Sequence, residues 1–515
     1  MRIEDLLINS AQRSPDKTAV IHGAARATYG EILAKAAGLA SCIQASGLKT
    51  GDRVIIAMDN SIDYVIAYFG VHLSGCVTVS INQQTLTAGF SMIARDCSPA
   101  GLIAGIGFIR QIEGSGELDR LRFIAVTGRP EQIPTDINAR IPGIVLFADC
   151  IKAGCDIKAH NGNSESLASI IYTSGTTSAP KGVMLAHRNL LANTGSIVEY
   201  LSINETDRIM VVLPFYYSYG NSLLLTHIAK GGAIVLDNRF VYPNVILNKM
   251  ISECVTAFAG VPSTFAILCH RSNFKALQFP MLRYITQAGG PMSHALSVEI
   301  LKVVPHVKLY IMYGQTEASA RLSYLHPDDI HRKSDSIGKA IPGVALDVLN
   351  ENGAPVKPGE TGEIVASGDN IMMGYWGKPD ETAKVLRDGK LFTGDLATVD
   401  DDGYLYIVGR KWDMIKSGAH RIAPREIEEI LMEHPAVHEA AVIGKDDRIL
   451  GESIFAFVAL KDGQACTKEE LLTHCRGKLQ LFKIPKAICF LDSLPKTESM
   501  KIKKHELKKS ELIKR

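Results

Sequence analysis

Several features that define other classes of protein are absent from this chain of 515 residues. Its ten cysteines are scattered, without a Cys-x-x-Cys pair or histidines at zinc-ligand spacing, which predicts reduced, mostly buried thiols and argues against a zinc site. The 56 lysines and arginines nearly balance the 54 acidic residues, so the net charge of +2 gives no overall attraction for nucleic acid or anionic lipid. Any anionic substrate must therefore be bound by local groups.

The sequence also lacks a long apolar run and a recognisable targeting signal. The most apolar stretch, 65–81, contains a histidine, two glycines and two serines in 17 residues, which favours a buried helix running into a strand over a membrane span. Two acids near the N-terminus interrupt any signal-peptide pattern, so we expect a cytoplasmic protein. The segment 501–515 carries seven basic and two acidic residues, and we interpret it as a solvated helix rather than a tail for membranes or nucleic acid.

The order of apolar runs and turns predicts a layered α/β fold. From 28 to 104, helical patterns alternate with short β-rich runs such as 54–57 and 77–80. The same alternation returns around the apolar runs 208–213 and 309–312, each followed by a turn and a helical stretch. The length of the chain favours two to four such units.

A change of pattern after Asp347 predicts a second architecture. Short strands separated by Asn-Gly and Asp-Gly pairs dominate there, and these pairs are typical of hairpin turns. From Arg410 onward, helix and strand patterns resume. We therefore predict a large, multi-subdomain N-terminal domain at 1–409, of which 347–409 is rich in β-strands, and a small α+β C-terminal domain at 410–515.

The most informative segment, 170–182, is a buried strand followed by a loop of hydroxyls and glycine and then a lysine. Backbone N–H groups and hydroxyls concentrated in one loop suit the oxygens of a polyphosphate, and the lysine adds a positive charge. It is not a P-loop, because the Gly-Lys-Ser/Thr sequence is absent. The candidate phosphate-binding residues are Thr173, Ser174, Gly175, Thr176, Thr177 and Lys181.

This loop, Tyr-Thr-Ser-Gly-Thr-Thr-x-x-Pro-Lys-Gly, resembles the signature of the adenylate-forming superfamily, which contains acyl-CoA synthetases, adenylation domains and beetle luciferases. Further segments match that family in order and spacing over nearly the whole chain. The resemblance implies that ATP and Mg²⁺ convert a carboxylic acid into an acyl-adenylate with release of pyrophosphate, and that the acyl group then passes to a thiol. It also implies an AMP-binding domain at 1–409 and a mobile lid at 410–515.

A second motif of the family matches the segment 313–317, which follows a predicted strand. The resemblance implies that its tyrosine stacks on adenine, that its threonine contacts the α-phosphate, and that its glutamate holds Mg²⁺. These roles suit a flat ring, a hydroxyl and a carboxylate. The alternative for the glutamate is an ordinary acid near a helix N-terminus. The residues are Tyr313, Gly314, Gln315, Thr316 and Glu317.

Two weaker matches complete the expected nucleotide site. Gly289 and Gly290 resemble the glycine-bearing turn beside adenine, where a missing Cβ lets the backbone approach the ligand. Asp395 and Arg410 resemble the pair that holds the ribose hydroxyls near the interdomain joint.

The catalytic lysine of the family matches Lys501. A desolvated ammonium there stabilises the approach of a carboxylate to the α-phosphate, because these two groups repel each other. This chain departs from the family in having Glu498 and Met500 where glycines are usual, and Trp412 where many members have the hinge Asp or Lys. The sequence therefore predicts neither the shape of the loop that carries Lys501 nor how the C-terminal domain rotates.

The turn 214–220 bears on the acid that is activated. Tyr216 stands where amino-acid-activating members have an aspartate for the ammonium group, so an acid without an α-amino group (fatty, aromatic or keto) is expected. Tyr217 lies near the position of a histidine in many fatty-acid members, which suggests a modified acyl pocket. Tyr217, Ser218 and Gly220 are the candidate pocket residues, although its tyrosines could equally be packed in the core.

The thiol acceptor is expected to carry a phosphopantetheine arm. The small residues Gly418 and Ala419 resemble the part of the family that lines the thiol tunnel. Coenzyme A is our first choice, and the phosphopantetheine of an acyl or peptidyl carrier protein is the alternative. A luciferase-like oxygenase and a non-catalytic nucleotide sensor are more distant alternatives. The sequence leaves open the identity of the acid and the oligomeric state.

Overall fold

The computed structural model describes residues 1–128, 144–152, 160–173, 180–411, 413–417, 420–448, 450–496 and 502–509. The chain divides into two compact units, the first comprising Met1–Leu346 and Ala366–Leu391 and the second Asp347–Val365 and Phe392–Arg515. The predicted domain boundary near Arg410 stays a prediction. Among the described residues, no helix is both long enough and apolar enough to span a bilayer.

The strands are numbered here in chain order. They are β1 Thr18–His22, β2 Ala25–Thr28, β3 Arg53–Ala57, β4 Val77–Ile81, β5 Gly101–Gly105, β6 Phe123–Thr127, β7 Ile144–Leu146, β8 Leu167–Thr173, β9 Lys181–Ala186, β10 Arg208–Val211, β11 Ala233–Leu236, β12 Ala257–Gly260, β13 Tyr284–Gln287, β14 Lys308–Tyr313, β15 Ser323–Leu325, β16 Lys339–Ala340, β17 Val344–Leu349, β18 Gly362–Gly368, β19 Gly374–Tyr375, β20 Leu386–Arg387, β21 Lys390–Val399, β22 Leu405–Arg410, β23 Ile415–Ser417, β24 His420–Ile422, β25 Val437–Asp447, β26 Gly451–Leu460 and β27 Ala487–Phe490.

The α-helices alternate with these strands in the first unit and flank the last sheet in the second. They span Ile3–Arg13, Tyr29–Ala45, Ile62–Leu73, Thr87–Cys97, Ile106–Ile112, Phe147–Cys150, His187–Leu201, Ser218–Lys230, Pro243–Ser252, Pro262–Arg271, His294–Val303, Pro379–Val385, Pro424–Met432, Lys468–Arg476 and Lys504–Lys509.

Two sheets form the framework of the first unit. The eight-stranded sheet has the order β19-β9-β8-β4-β3-β5-β6-β7, and the nine-stranded sheet has the order β16-β15-β14-β13-β12-β10-β11-β1-β2. The strands from β4 to β7 in the first sheet and from β14 to β11 in the second pair in parallel, whereas β8, β9 and β19 pair antiparallel. The polar loops of the candidate site follow the ends of these strands.

Local sequence signals explain where several helices begin. Thr28 accepts a hydrogen bond from the Glu31 amide, and the Glu31 carboxylate accepts one from the Thr28 amide, which forms a capping box before Tyr29–Ala45. Ser61 caps Ile62–Leu73, and this helix and β4 are buried along nearly their whole length. The prediction of a buried helix running into a strand at 65–81 is thus confirmed.

The second unit contains two small sheets. In the first, β21 lies between β18 and β22. In the second, β25 and β26 form a long antiparallel pair, β27 adds in parallel to β26, and the order is β24-β23-β26-β25. Ile427 and Leu431 from one helix and Leu471 and Cys475 from another pack against this sheet. The predicted fold class, a large layered α/β part with a small α+β C-terminal part, is confirmed.

Candidate functional site

The predicted phosphate-binding loop joins β8 and β9. These strands pair antiparallel with Thr173 opposite Lys181, and the Thr173 hydroxyl donates to the Lys181 carbonyl at 3.5 Å. The two ends of the loop are therefore held together by the sheet. Ser174, Gly175, Thr176 and Thr177 lie outside the described residues, so their part in the site stays a prediction.

The Lys181 ammonium has two partners in the first unit. Its Nζ donates to Glu381 Oε2 at 2.7 Å and lies 5.0 Å from the centroid of the Tyr375 ring. A hydrogen bond from Lys181, and to a lesser extent one from Lys384, lowers the pKa of Glu381 to about 2, so Glu381 is ionised at neutral pH. The lysine that the sequence assigns to phosphate is thus already paired with an anion of the chain.

The segment 313–317 forms a tight turn at the end of β14. A Cβ at Gly314 would lie 2.0 Å from the Ala320 carbonyl oxygen, so the turn closes only with glycine there. Ser319 has a left-handed φ of 62°, and its hydroxyl donates to the Asn370 carbonyl at 2.8 Å. Backbone strain of this kind persists where surrounding contacts fix it, and it is frequent at functional sites.

The polar groups of this turn are joined to other segments. The Thr316 hydroxyl lies 3.3 Å from the Ser218 hydroxyl at the start of the helix Ser218–Lys230. The Tyr375 hydroxyl donates to Glu317 Oε1 at 2.8 Å, and both Thr316 and Glu317 are half-buried. A hydroxyl pair and an oriented carboxylate therefore adjoin each other.

The segment 372–376 connects the two sheets of the first unit at this place. The Met372 amide donates to the Glu317 carbonyl at 2.9 Å, and β19 pairs with β9 so that Tyr375 lies opposite Val183. The Trp376 amide continues the pairing by donating to the Gly182 carbonyl at 2.8 Å. This arrangement places one tyrosine between the turn of β14 and the lysine of β9.

The glycine turn predicted beside adenine follows β13. Gly289 has a φ of 89°, and both Gly289 and Gly290 are exposed. The Gln287 side-chain amide donates to the Gly290 carbonyl at 2.7 Å, which fixes the turn. Tyr313 is the last residue of β14, which is the neighbour of β13 in the same sheet. The exposed backbone of these two glycines, which has no Cβ, is therefore accessible to a ligand at the end of β13.

The predicted pocket turn is well packed. A Cβ on Gly220 would lie 1.9 Å from the Pro214 carbonyl oxygen, so this glycine is required by the start of its helix. The Tyr219 hydroxyl donates to the Thr286 carbonyl at 2.9 Å, and the buried Arg321 guanidinium lies 4.0 Å from the Tyr219 ring centroid. Packing explains Gly220 and Tyr219. The pocket role of Tyr217 and Ser218 stays a prediction.

In the second unit, Asp395 and Arg410 form an ion pair. Their residues are directly opposite each other in β21 and β22, and Arg410 Nε lies 2.9 Å from Asp395 Oδ1. The Asp395 side chain is buried, whereas that of Arg410 is about half exposed. The backbone at Asp395 is fixed further because its amide donates to the Thr393 hydroxyl.

Several predicted residues cannot be placed. Lys501, Gly418 and Ala419 lie outside the described residues, as do Trp412 and the loop positions 498 and 500. Conversely, sequence reasoning missed Tyr375 and Glu381. Both residues reach the site through pairing with segments that are distant in the sequence. The sequence around them shows only a Gly-Tyr pair followed by a helix that begins with proline, which does not indicate a functional site.

A second polar cluster, buried away from this site, joins Glu4, His72 and His187, whose possible ligand atoms lie within 4.8 Å of one another. Burial lowers the pKa of His72 to about 3 and that of His187 to about 4, so both rings are neutral at pH 7. The Ile3 amide donates to His187 Nδ1 at 3.0 Å, which occupies that lone pair. His160 hydrogen-bonds Glu4 Oε1 at 3.0 Å. The cluster therefore fastens the N-terminal helix to the core.

Comparison with known families gives matches to both parts of the chain. The family described as "AMP-binding enzyme" matches residues 7–376, and the family described as "AMP-binding enzyme C-terminal domain" matches residues 426–501. A long-chain-fatty-acid–CoA ligase of Bacillus subtilis is 34% identical over 99% of this chain and 94% of its own length. A feruloyl-CoA synthase of Amycolatopsis is 32% identical over 98% of this chain and 97% of its own length.

The fold is also similar to a solved enzyme, the o-succinylbenzoate coenzyme A synthetase of Bacillus subtilis. Its complex with ATP and a magnesium ion has a TM-score of 0.84 at 27% identity, over 98% of this chain and 99% of that one. Its complex with an acyl-adenylate intermediate has a TM-score of 0.85 at 27% identity, over 98% of both chains.

Proposed function

This chain belongs to the AMP-binding enzyme family, and we propose that it is an acid–thiol ligase that activates a carboxylic acid with ATP and transfers the acyl group to coenzyme A. In the first step, a carboxylate oxygen bonds to the α-phosphorus while the bond to pyrophosphate breaks. In the second step, the thiol loses its proton to solvent, its sulfur bonds to the acyl carbon, and AMP leaves with the electron pair of the broken acyl–oxygen bond. The predicted membership of the adenylate-forming superfamily is confirmed.

One observation carries the proposal: the candidate groups for phosphate and metal belong to a single connected set of contacts. Ser218 contacts Thr316 at 3.3 Å, and Glu317, the next residue, accepts from Tyr375 at 2.8 Å. The ring of Tyr375 in turn lies 5.0 Å from the Lys181 ammonium. Hydroxyl, carboxylate and ammonium groups from separate segments are what binding of a metal–polyphosphate requires.

The residues of this set have separate roles in the proposed reaction. Lys181 offsets negative charge on the polyphosphate, and the Thr316 hydroxyl donates to an α-phosphate oxygen. Lys501 stabilises the charge that accumulates as carboxylate and phosphate approach each other. In the second unit, Asp395 accepts hydrogen bonds from the ribose hydroxyls, and Arg410, which pairs with Asp395, donates to them.

Glu317 is suited to hold Mg²⁺. Its Oε1 accepts a hydrogen bond from the Tyr375 hydroxyl, which orients the carboxylate, and carboxylate oxygens are ligands that suit a hard cation. When bound, Mg²⁺ neutralises phosphate charge and orients the polyphosphate. The half-buried setting of Glu317 excludes part of the competing water, and the tyrosine fixes the direction of the carboxylate.

The acid that we propose lacks an α-amino group. Tyr216 and Tyr217 form a ring pair with centroids 4.5 Å apart at the start of the pocket turn, and neither supplies a carboxylate for an ammonium group. The names of the relatives, a long-chain-fatty-acid–CoA ligase and a feruloyl-CoA synthase, support fatty and aryl-substituted acids as the substrate class. The same names favour coenzyme A over a carrier protein. We place the reaction in the cytoplasm.

A pyrophosphate-release assay tests the proposal. Purified enzyme with ATP and Mg²⁺ is offered separate fatty, hydroxycinnamic, keto and α-amino acids, and AMP is quantified in parallel. We expect AMP and pyrophosphate in equal amounts with at least one fatty or aryl acid and none with α-amino acids alone. Coenzyme A and a holo carrier protein are then compared as acceptors. Preferred transfer to the carrier protein would overturn the assignment of coenzyme A.

A further inference from the structure

We propose that Tyr375 is a positioning residue that holds the metal-binding carboxylate of Glu317 and the phosphate-binding ammonium of Lys181 in one fixed arrangement. This inference rests on the proposed function and adds a residue that lies outside the motifs from which that function was predicted. Tyr375 touches neither reacting atom in the proposed chemistry. It acts through the two residues that contact metal and phosphate.

The hydroxyl of Tyr375 sets the direction of the Glu317 carboxylate. It donates to Oε1 at 2.8 Å, which fixes the plane of the carboxylate and leaves lone pairs on its oxygens for a cation. A carboxylate without such a partner rotates among several orientations, and ordering it on metal binding costs free energy. Hydrogen bonds to metal ligands therefore raise metal affinity by preparing the ligand, and their loss typically lowers it about 10- to 100-fold.

The ring of Tyr375 supports the lysine. Lys181 Nζ lies 5.0 Å from the ring centroid, within the range of a cation–π interaction, and the residue Tyr375 is 7% exposed. A face of this kind holds an ammonium without neutralising its charge. The lysine thus keeps its charge for phosphate, whereas its other partner, Glu381, competes with phosphate for it.

The backbone around Tyr375 is fixed from three sides. The residue pairs with Val183 in β9, its amide donates to the Thr382 hydroxyl at 2.9 Å, and the neighbouring Met372 amide donates to the Glu317 carbonyl. Glu317 follows β14 of one sheet and Lys181 begins β9 of the other, and the Tyr375 side chain contacts both of them. Its position therefore couples the metal end of the site to the phosphate end.

The test separates the hydroxyl from the ring. Tyr375→Phe keeps the ring under Lys181 and removes only the hydrogen bond to Glu317, whereas Tyr375→Leu removes both. Binding of ATP is measured by calorimetry without acid at a series of free Mg²⁺ concentrations, and pyrophosphate release with the best acid of the panel is then measured at the same free Mg²⁺ concentrations. For Tyr375→Phe we expect the Mg²⁺ concentration for half-maximal rate to rise about tenfold, with full turnover restored by excess Mg²⁺. Tyr375→Leu should in addition raise the KM for ATP.

Tyr406→Phe is the matched control, because the Tyr406 hydroxyl also donates to a carboxylate, Asp400 Oδ2, at 3.1 Å in the second unit. Its Mg²⁺ dependence should equal that of the wild type. If the wild type releases pyrophosphate but Tyr375→Phe keeps the wild-type Mg²⁺ dependence, or loses turnover that excess Mg²⁺ does not restore, the positioning role is wrong and the function stands. If the wild type itself releases no pyrophosphate with any acid, the function fails and the positioning role with it.

Discussion

Replacing Glu381 by glutamine should make the enzyme bind ATP more tightly. Glu381 accepts from Lys181 Nζ at 2.7 Å, so a polyphosphate that uses this lysine must first displace a carboxylate. Glutamine keeps the size and a hydrogen-bonding oxygen but removes the charge. The change therefore weakens the competitor and leaves the position of Lys181 largely intact.

The expected magnitude follows from the exposure of the pair. The side chains of Lys181 and Glu381 are 20% and 34% exposed, and ion pairs in contact with water are weak. We therefore expect the KM for ATP to fall only about two- to fivefold, with kcat within about twofold of wild type. The difference should shrink in 1 M salt, because the Debye length then falls to about 3 Å, close to the 2.7 Å separation of the pair. Because the pKa of Glu381 is lowered to about 2, the difference should not vary between pH 6 and pH 9.

The assay is initial-rate pyrophosphate release at varied ATP, saturating Mg²⁺ and one fixed acid. Asp380→Asn serves as control, since it removes the same charge from the exposed neighbouring residue of the same helix. A KM for ATP that rises in Glu381→Gln, or that falls equally in Asp380→Asn, would refute the idea that Glu381 competes with phosphate for Lys181.

Three further predictions concern other parts of the chain. Lys501→Ala should slow adenylation on the order of a hundredfold yet spare thioester formation from supplied acyl-adenylate. Lys503→Ala is the control, because the Lys503 ammonium pairs with Glu506 at 2.9 Å. Equal losses in both steps of Lys501→Ala would contradict the role of Lys501. Gly418→Phe should instead slow thiolysis and spare adenylation, and an unchanged thiolysis rate would exclude a tunnel there. His72 is buried with both ring nitrogens unpartnered, and burial lowers its pKa to about 3. The neutral ring therefore costs the folded state nothing above the pKa that histidine has in the unfolded chain, and the free energy of unfolding falls as the pH drops below that value. Between pH 7.5 and pH 5.5, the free energy of unfolding in urea should drop by about 1 kcal/mol less in His72→Phe than in the wild type. An equal drop in both proteins would rule out this histidine as the cause.

Much of the fold follows from local signals that the sequence carries. Caps such as Thr28 with Glu31 fix where helices begin, and the apolar run before the hydroxyl-rich loop predicts the buried strand β8. Both kinds of signal act over a few residues. Such signals locate the phosphate loop, whereas the turn at 313–317 is located through its match to a family motif.

The contacts between distant segments could not be predicted in the same way. Glu317 and Tyr375 are 58 residues apart, and Lys181 and Glu381 are 200 apart, so nothing in the local pattern of either partner specifies the other. The segment 366–391 was included in the β-rich region, yet it lies in the first unit because β19 pairs with β9. Gly220 shows a further limit, since a glycine required by packing and one required by a ligand look alike in sequence.

The central claim is that this chain joins a carboxylic acid to AMP before a thiol takes the acyl group. The most direct measurement is a single-turnover reaction with α-³²P-labelled ATP, Mg²⁺ and the acid panel in the absence of thiol, followed by separation of the labelled products. The account predicts a labelled acyl-adenylate that disappears when coenzyme A is added, as AMP and acyl-CoA form. Labelled ADP in its place, or ATP that stays intact with every acid, would contradict it.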